Sequence, residues 1–141
     1  MAINAEIKLT KVENPPKDSP DTFRIKRTKE GAHFNGYMNV FKFQDKDTNQ
    51  YISYCPSFDL SGYRETPEKA VEMLEFSVRD FFKSLFTVSA KKLQTELNEL
   101  GWKQNKLSHK QYSRPFADIN GELQNFNALD DKVERMVLHA A

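Results

Sequence analysis

The residue types able to do covalent or metal chemistry are few in this chain, and they stand apart. Cys55 is its one cysteine. A thiol becomes a nucleophile when a neighbouring base or positive field draws off its proton. The only imidazoles, His33, His109 and His139, are all remote from it in sequence. A single cysteine at a strand end reads as a small buried apolar residue. Hydrolysis by two metal ions needs several carboxylates around cations about 4 Å apart. Here Asp45 and Asp47 fall in a turn and Asp59 is isolated near a strand start. Glu68, Glu72 and Glu75 share a helical face of the kind that is normally solvated. There is no Cys/His zinc spacing. The five glycines are scattered singly, so no phosphate-cradling loop is present. The expectation is a chain with no catalytic residue, no metal site and no cofactor.

Binding chemistry is better represented. Arg24, Lys26, Arg27 and Lys29 form one basic cluster. Lys103, Lys106, Lys110 and Arg114 form another, with no acid between Trp102 and Phe116. If the strands carrying them are neighbours, they make a positive patch able to contact phosphates, with Trp102 and Tyr112 available for stacking. The competing reading is that the lysines guard an exposed strand edge. The formal net charge of +1 gives no global bias toward nucleic acid.

The elements that must position these residues follow from the pattern. Ile3, Ala5, Ile7 and Leu9 alternate with polar residues, the period of a half-buried strand. Asn14–Asp21 contains three prolines and is a connector. Thr22–Thr28 alternates again, with Phe23 and Ile25 on one side. Phe34–Phe43 carries apolar residues on both faces and belongs inside a sheet, with Gly36 marking a bulge. Gln44–Asn49 is a hairpin connection, and the strand Gln50–Cys55 is stopped by Pro56. Thr66-Pro67 is a hydroxyl N-cap followed by proline at the first helical position. The helix predicted from Pro67 to Phe86 carries Ala70, Leu74, Val78, Phe81 and Leu85, with Val71, Met73, Phe76 and Phe82 widening its face. The Met73, Phe76, Phe81 and Phe82 stripe reads as core before partner site, and apolar surface left over on so broad a face would point to a homo-oligomer or a bound partner. Ser89 caps a second helix through Leu93, Leu97 and Leu100, with Gly101 as its C-terminal cap. Trp102–Tyr112 reads as a returning strand, and Ala128–His139 as a short helix with Leu129, Val133, Met136 and Val137 on one side. No apolar run reaches the roughly 18–20 residues that span a bilayer. The first residues alternate in polarity and resemble no secretion signal, so a cytoplasmic protein is expected. Eleven Phe, five Tyr and one Trp in 141 residues make aromatic rings the main core material.

In sum, one α+β domain over 1–141 is expected, with an antiparallel-rich sheet and helices mainly on one face. Residues 1–31 form an N-terminal strand extension, 32–113 the core, and 114–141 a tail with one short helix.

Four segments occur in an ordered series. Tyr51-Ile52-Ser53-Tyr54-Cys55-Pro56 is an aromatic strand running into Cys-Pro. Phe58-Asp59-Leu60-Ser61 opens the next extended piece. Thr66-Pro67-Glu68-Lys69-Ala70 begins the helix, and Leu97 with Leu100-Gly101-Trp102 follows it. In this order and spacing they resemble the HicB-like antitoxins, over about residues 34–112. Arg64 stands where that family often has glycine, and Lys69 replaces a glutamate. The resemblance implies a partial RNase H-like β-β-β-α-β core and a non-catalytic protein. It implies binding to a small basic, HicA-like RNA-cleaving toxin and blocking of the toxin's active site. The partner-binding residues it suggests are Tyr51, Tyr54, Phe58, Asp59 and Tyr63. The tail, with one helix, is shorter than the DNA-binding segments that many family members append. The alternative function is a stand-alone nucleic-acid-binding module using Lys103, Lys106, Lys110 and Arg114.

Overall fold

The computed structural model describes residues 7–12, 21–28, 31–100, 102–104, 111–114 and 128–140. The element order is β1 (Leu9–Val12), β2 (Asp21–Thr28), β3 (Gly31–Asp45), β4 (Tyr51–Cys55), β5 (Leu60–Arg64), α1 (Pro67–Phe86), α2 (Ala90–Glu99), β6 (Lys103–Gln104), β7 (Gln111–Arg114) and β8 (Ala128–Ala140).

Strand β3, apolar on both faces, is the strand around which the sheet is built. One of its edges lies along β8 from Gly36 to Asp45. The other edge is divided: β2 takes Gly31–Tyr37 and β4 takes Phe41–Gln44. In the gap, the buried Asp21 carboxylate accepts hydrogen bonds from the Asn39 backbone N–H and its side-chain amide, both at 2.7 Å. A carboxylate thus takes the place of a neighbouring strand. The path across the sheet is β1-β8-β3-β2-β7-β6, with β4 and β5 beside the second half of β3. Every pairing among the described residues is antiparallel.

Both helices pack on one face of the sheet. Phe23, Phe34, Met38, Val40, Met136 and Leu138 from the strands join Val71, Leu74, Val78, Phe82, Leu93 and Leu97 from the helices in one core. The result is the single α+β domain that the sequence predicts. Helix α1 starts as expected: Thr66 Oγ1 accepts from the Lys69 N–H at 3.2 Å, with Pro67 in the first turn. Ser89 caps α2 in the same way through the Lys92 N–H. The Trp102 N–H closes the end of α2 on the Leu97 carbonyl at 2.9 Å. The proposed cap Gly101 lies outside the described residues.

Several expectations are corrected. The tail segment read as a short helix is the 13-residue strand β8. Met136, Leu138 and Ala140 alternate toward the helices, while Val137 is buried on the other side. An apolar run buried on both faces matches helical and strand spacings alike, and pairing with β1 and β3 on the two edges decides it. Gly36 marks no bulge: the β2–β3 register runs through it unbroken, and the shift lies between Phe43 and Asp45 of β3. Gly36 is instead a packing requirement, since a Cβ there would lie 2.4 Å from Phe23 Cβ and from the Thr22 carbonyl oxygen. The N-terminal strand runs Leu9–Val12, and the predicted positions 3–6 lie outside the described residues. The single returning strand is two short ones, β6 and β7, with 105–110 outside the described residues. The order β3-β4-β5-α1-α2 stands as read, and β6 reaches the sheet through β7 beyond β2. Among the described residues no helix is long and apolar enough to cross a membrane.

Candidate partner-binding face

The β4–β5 hairpin is held against α1 by its smallest side chains. The Ser53 hydroxyl donates to the Ala70 carbonyl at 2.7 Å. Gly62 pairs with Ser53 across the hairpin, and a Cβ on it would lie 2.2 Å from the Ala70 oxygen and 2.7 Å from the Leu74 nitrogen. The helix backbone therefore lies directly on the strand. The Thr-Pro-Glu-Lys-Ala start matters because its fourth helical residue, Ala70, is small and fully buried. With Ser53, Cys55 and Gly62 turned to the helix, Ile52, Tyr54, Ser61 and Tyr63 must face the other way.

On that outer face Tyr63 is 52% exposed, and Ile52 and Tyr54 are half-buried. The Tyr54 hydroxyl donates to Asp59 Oδ1 at 3.1 Å. Asp59 has φ 51°, and its N–H donates to the Pro56 carbonyl across the turn. The left-handed conformation suits Asp, whose short polar side chain tolerates it. The open edge of β5 is plugged at Tyr63: its N–H donates to Met73 Sδ at 3.4 Å, and its carbonyl accepts from Arg64 Nη1 at 2.8 Å. Arg64 Nη1 also donates to Met73 Sδ at 2.9 Å. The guanidinium carbon lies 5.8 Å from the centre of the Tyr63 ring, within cation–π range.

The five residues expected to bind a partner therefore separate. Tyr54, Asp59 and Tyr63 share one surface. Tyr51 alternates to the other side and lines a hollow of about 190 Å³ with Lys42, Gln44 and Pro67. Phe58 is corrected outright: it is 2% exposed. The turn folds it inward, where it stacks on Trp102 at 5.2 Å and meets Phe82 edge-on at 5.0 Å. The Trp102 indole N–H donates to the Ser57 carbonyl at 3.0 Å. The Leu97–Trp102 segment thus pins the β4–β5 turn to the end of α2.

Cys55 faces the core, fully buried. Burial pushes its thiol up to about 12, partly opposed by the hydrogen bond with Ser57 Oγ at 3.3 Å. Such a thiol stays protonated near neutral pH and is a poor nucleophile. His139 lies on the opposite side of the sheet, stacked on Tyr37 with ring centroids 4.7 Å apart. His109 is outside the described residues, and so are Lys106 and Lys110. Asp45 closes its hairpin by accepting from the Thr48 N–H and hydroxyl at 2.9 and 2.8 Å. Glu75 pairs with Arg79 along α1 at 3.6 Å. Among the described residues no three His, Cys, Asp or Glu side chains are placed to hold a metal ion.

The strands of the two basic clusters are neighbours. β7 pairs with β2, Gln111 opposite Arg24 and Arg114 opposite Asp21, and Lys103 of β6 pairs with Ser113. Two features escape a reading of the sequence. Asp21 sits at the end of a proline-rich connector and carries no local sign of its role. The Tyr37–His139 pair joins strands far apart in the chain. Its one signal is that Tyr37 is out of phase with the apolar positions Phe34, Met38 and Val40. No family model, no curated protein and no solved structure matches the chain.

Proposed function

We propose that the protein is a non-catalytic, HicB-like interaction domain of the cytoplasm that binds a small basic partner protein, in the antitoxin case an RNA-cleaving toxin. The observation that carries this reading is the hairpin–helix unit β4-β5-α1. The residues of the resemblance, Ser53, Ala70 and Trp102, are the ones that fix the hairpin. They leave Tyr54, Asp59 and Tyr63 together on an outer surface. Two amphipathic rings beside an exposed carboxylate suit a cationic partner, since exposed tyrosines anchor interfaces and an acid selects charge. Capture with the tagged chain from native extract tests it. The expected result is a small basic protein in fixed ratio whose RNA cleavage the chain inhibits, with capture and inhibition lost in Tyr63→Ala/Asp59→Ala. Recovery of the chain alone removes the antitoxin reading. The expected homo-oligomer is read by light scattering on the same sample.

A second reading is a nucleic-acid-binding module. The adjacency of β2, β7 and β6 favours it, because it brings the strands that carry Arg24, Lys103 and Arg114 together in one sheet.

A further inference from the structure

We propose that the outer face of β2, β3 and β8 binds one nucleotide of a single-stranded nucleic acid, its base on the Tyr37 ring and its phosphate at Arg24. The inference rests on the second reading above and gives it a site away from Lys103 and Arg114.

One row of paired residues crosses six strands. Thr10 pairs with His139, His139 with Tyr37, Tyr37 with Thr22, Thr22 with Ser113 and Ser113 with Lys103. Phe23, Met38 and Leu138, next in sequence to three of these, are in the helix-side core. Alternation therefore places Thr22, Tyr37 and His139 on the outer face. In the next row Arg24 pairs with Asn35. Tyr37 is 46% exposed although it stands in the central strand of the sheet. Among the described residues its ring contact is His139, and about half of the residue is left open to solvent.

The ring is also held in place. His139 stacks on it at an interplanar angle of 26°, and His139 Nε2 lies 3.3 Å from Asn35 Oδ1. A ring fixed before the ligand arrives loses little freedom on binding. Beside it lies an open hollow of about 310 Å³ lined by Thr22, Arg24, Asn35 and Tyr37. That is the lower end of the range for small-ligand sites, about 300–1,000 Å³. Arg24 is exposed and forms no ion pair with a described residue.

The chemistry on offer is an aromatic plane, a guanidinium, an amide and a hydroxyl. A base needs the plane and the amide; a phosphate needs the guanidinium. The hollow is open, so the chain of a polynucleotide can enter and leave. The row extends roughly 24 Å across the sheet at about 4.8 Å per strand, room for more than one nucleotide. It runs toward the basic positions of β6 and β7.

The test is fluorescence polarisation of a labelled 12-nucleotide single-stranded RNA, and of the matching DNA, titrated with the full chain at several salt concentrations. Binding is expected to weaken with salt. Tyr37→Ala is expected to weaken it about tenfold, and Tyr37→Phe, which keeps the ring, by less than about twofold. Arg24→Gln is expected to reduce the salt slope by about one. Salt-dependent binding that neither Tyr37→Ala nor Arg24→Gln changes overturns this site and leaves the basic-strand reading standing. No binding of either oligonucleotide overturns both. Displacement of the 12-mer by an equal concentration of adenosine or uridine monophosphate overturns the strand as ligand. Should Tyr37→Ala melt early, photo-crosslinking of 4-thiouridine RNA to the unaltered chain reads the same point. An adduct on Tyr37 or His139 supports the site, and adducts only elsewhere overturn it.

Discussion

On the helix side of the sheet, Phe23, Phe34, Phe58, Phe82 and Trp102 touch one another with ring centroids 4.2 to 6.0 Å apart. Their single polar atom, the Trp102 indole nitrogen, is satisfied by Ser57. On the outer side Phe41 is buried and Phe43 half-buried, while Tyr37, Tyr54, Tyr63 and His139 each carry a polar atom, and Tyr37 and Tyr63 are about half exposed. The sheet thus buries Phe on both sides, and its most exposed rings, Tyr37 and Tyr63, are tyrosines on the outer one. An aromatic ring with a polar handle is suited to a surface that is dry at one end and wet at the other. Rings with a polar atom therefore mark the open part of the outer face, and Phe41 shows that the rest of that face is packed.

Trp102 holds the largest share of the packing on the helix side. Trp102→Ala empties the centre of the ring cluster and frees the β4–β5 turn from α2. It is expected to cost about 3–5 kcal/mol in urea-induced unfolding. If it costs no more than Tyr63→Ala, the division between the faces is wrong. Asp21→Ala comes next. It removes the carboxylate that accepts two hydrogen bonds at the split edge of β3, for about 1.5–3 kcal/mol in the same assay. Gly62→Ala forces a methyl onto the backbone of α1, and its expected loss is about 1–3 kcal/mol.

A weaker effect sharpens the helix side by pH. The Cys55 thiol is raised from 9.0 to about 12 in the fold. The unfolded chain therefore loses this proton before the folded chain does. The stability contributed by the buried neutral thiol is full below about 9 and is lost as pH rises toward about 12. Unfolding curves across that range should show this slope in the parent and not in Cys55→Ala, and a thiol reagent at pH 8 should label the chain only when it is unfolded. The smallest effect is expected on the outer face, where Tyr63→Ala changes stability by less than about 0.5 kcal/mol. A loss above 1 kcal/mol there would make Tyr63 a packing residue and remove it from the binding face.

How far the sequence reveals these faces depends on how local the deciding force is. Thr66-Pro67 and Ser89 place both helix starts, because a capping hydroxyl acts within three residues. Pro56 ends β4 at Cys55 for a similarly local reason. Strand β8 is misread because its apolar residues serve two buried faces, and only its neighbours β1 and β3 distinguish a strand from a helix. Phe58 is misread because a left-handed Asp59 turns the chain, and alternation no longer tells which way the next side chain points. Tyr54 and Tyr63 are legible as surface candidates. Their placement with Asp59, and the separation of Tyr51, follow only from the hairpin's seat on α1. Tyr37 with His139 is a pairing of distant strands that no local pattern announces.

The divided edge of β3 has a consequence for how the molecule opens. Strands β6, β7 and β2 are tied to its first half, and β4, β5 and α1 to its second. Amide protons on the two halves are thus protected by different groups of strands, two leaves that share one core, while β8 covers the far edge of both. The Asn39 amide proton is guarded by a side chain of β2, so it should exchange with the first leaf although it sits at the border of the second. Whatever binds the hairpin and whatever binds the outer hollow would then slow different sets of amides, with Asn39 as the marker of which leaf has been held.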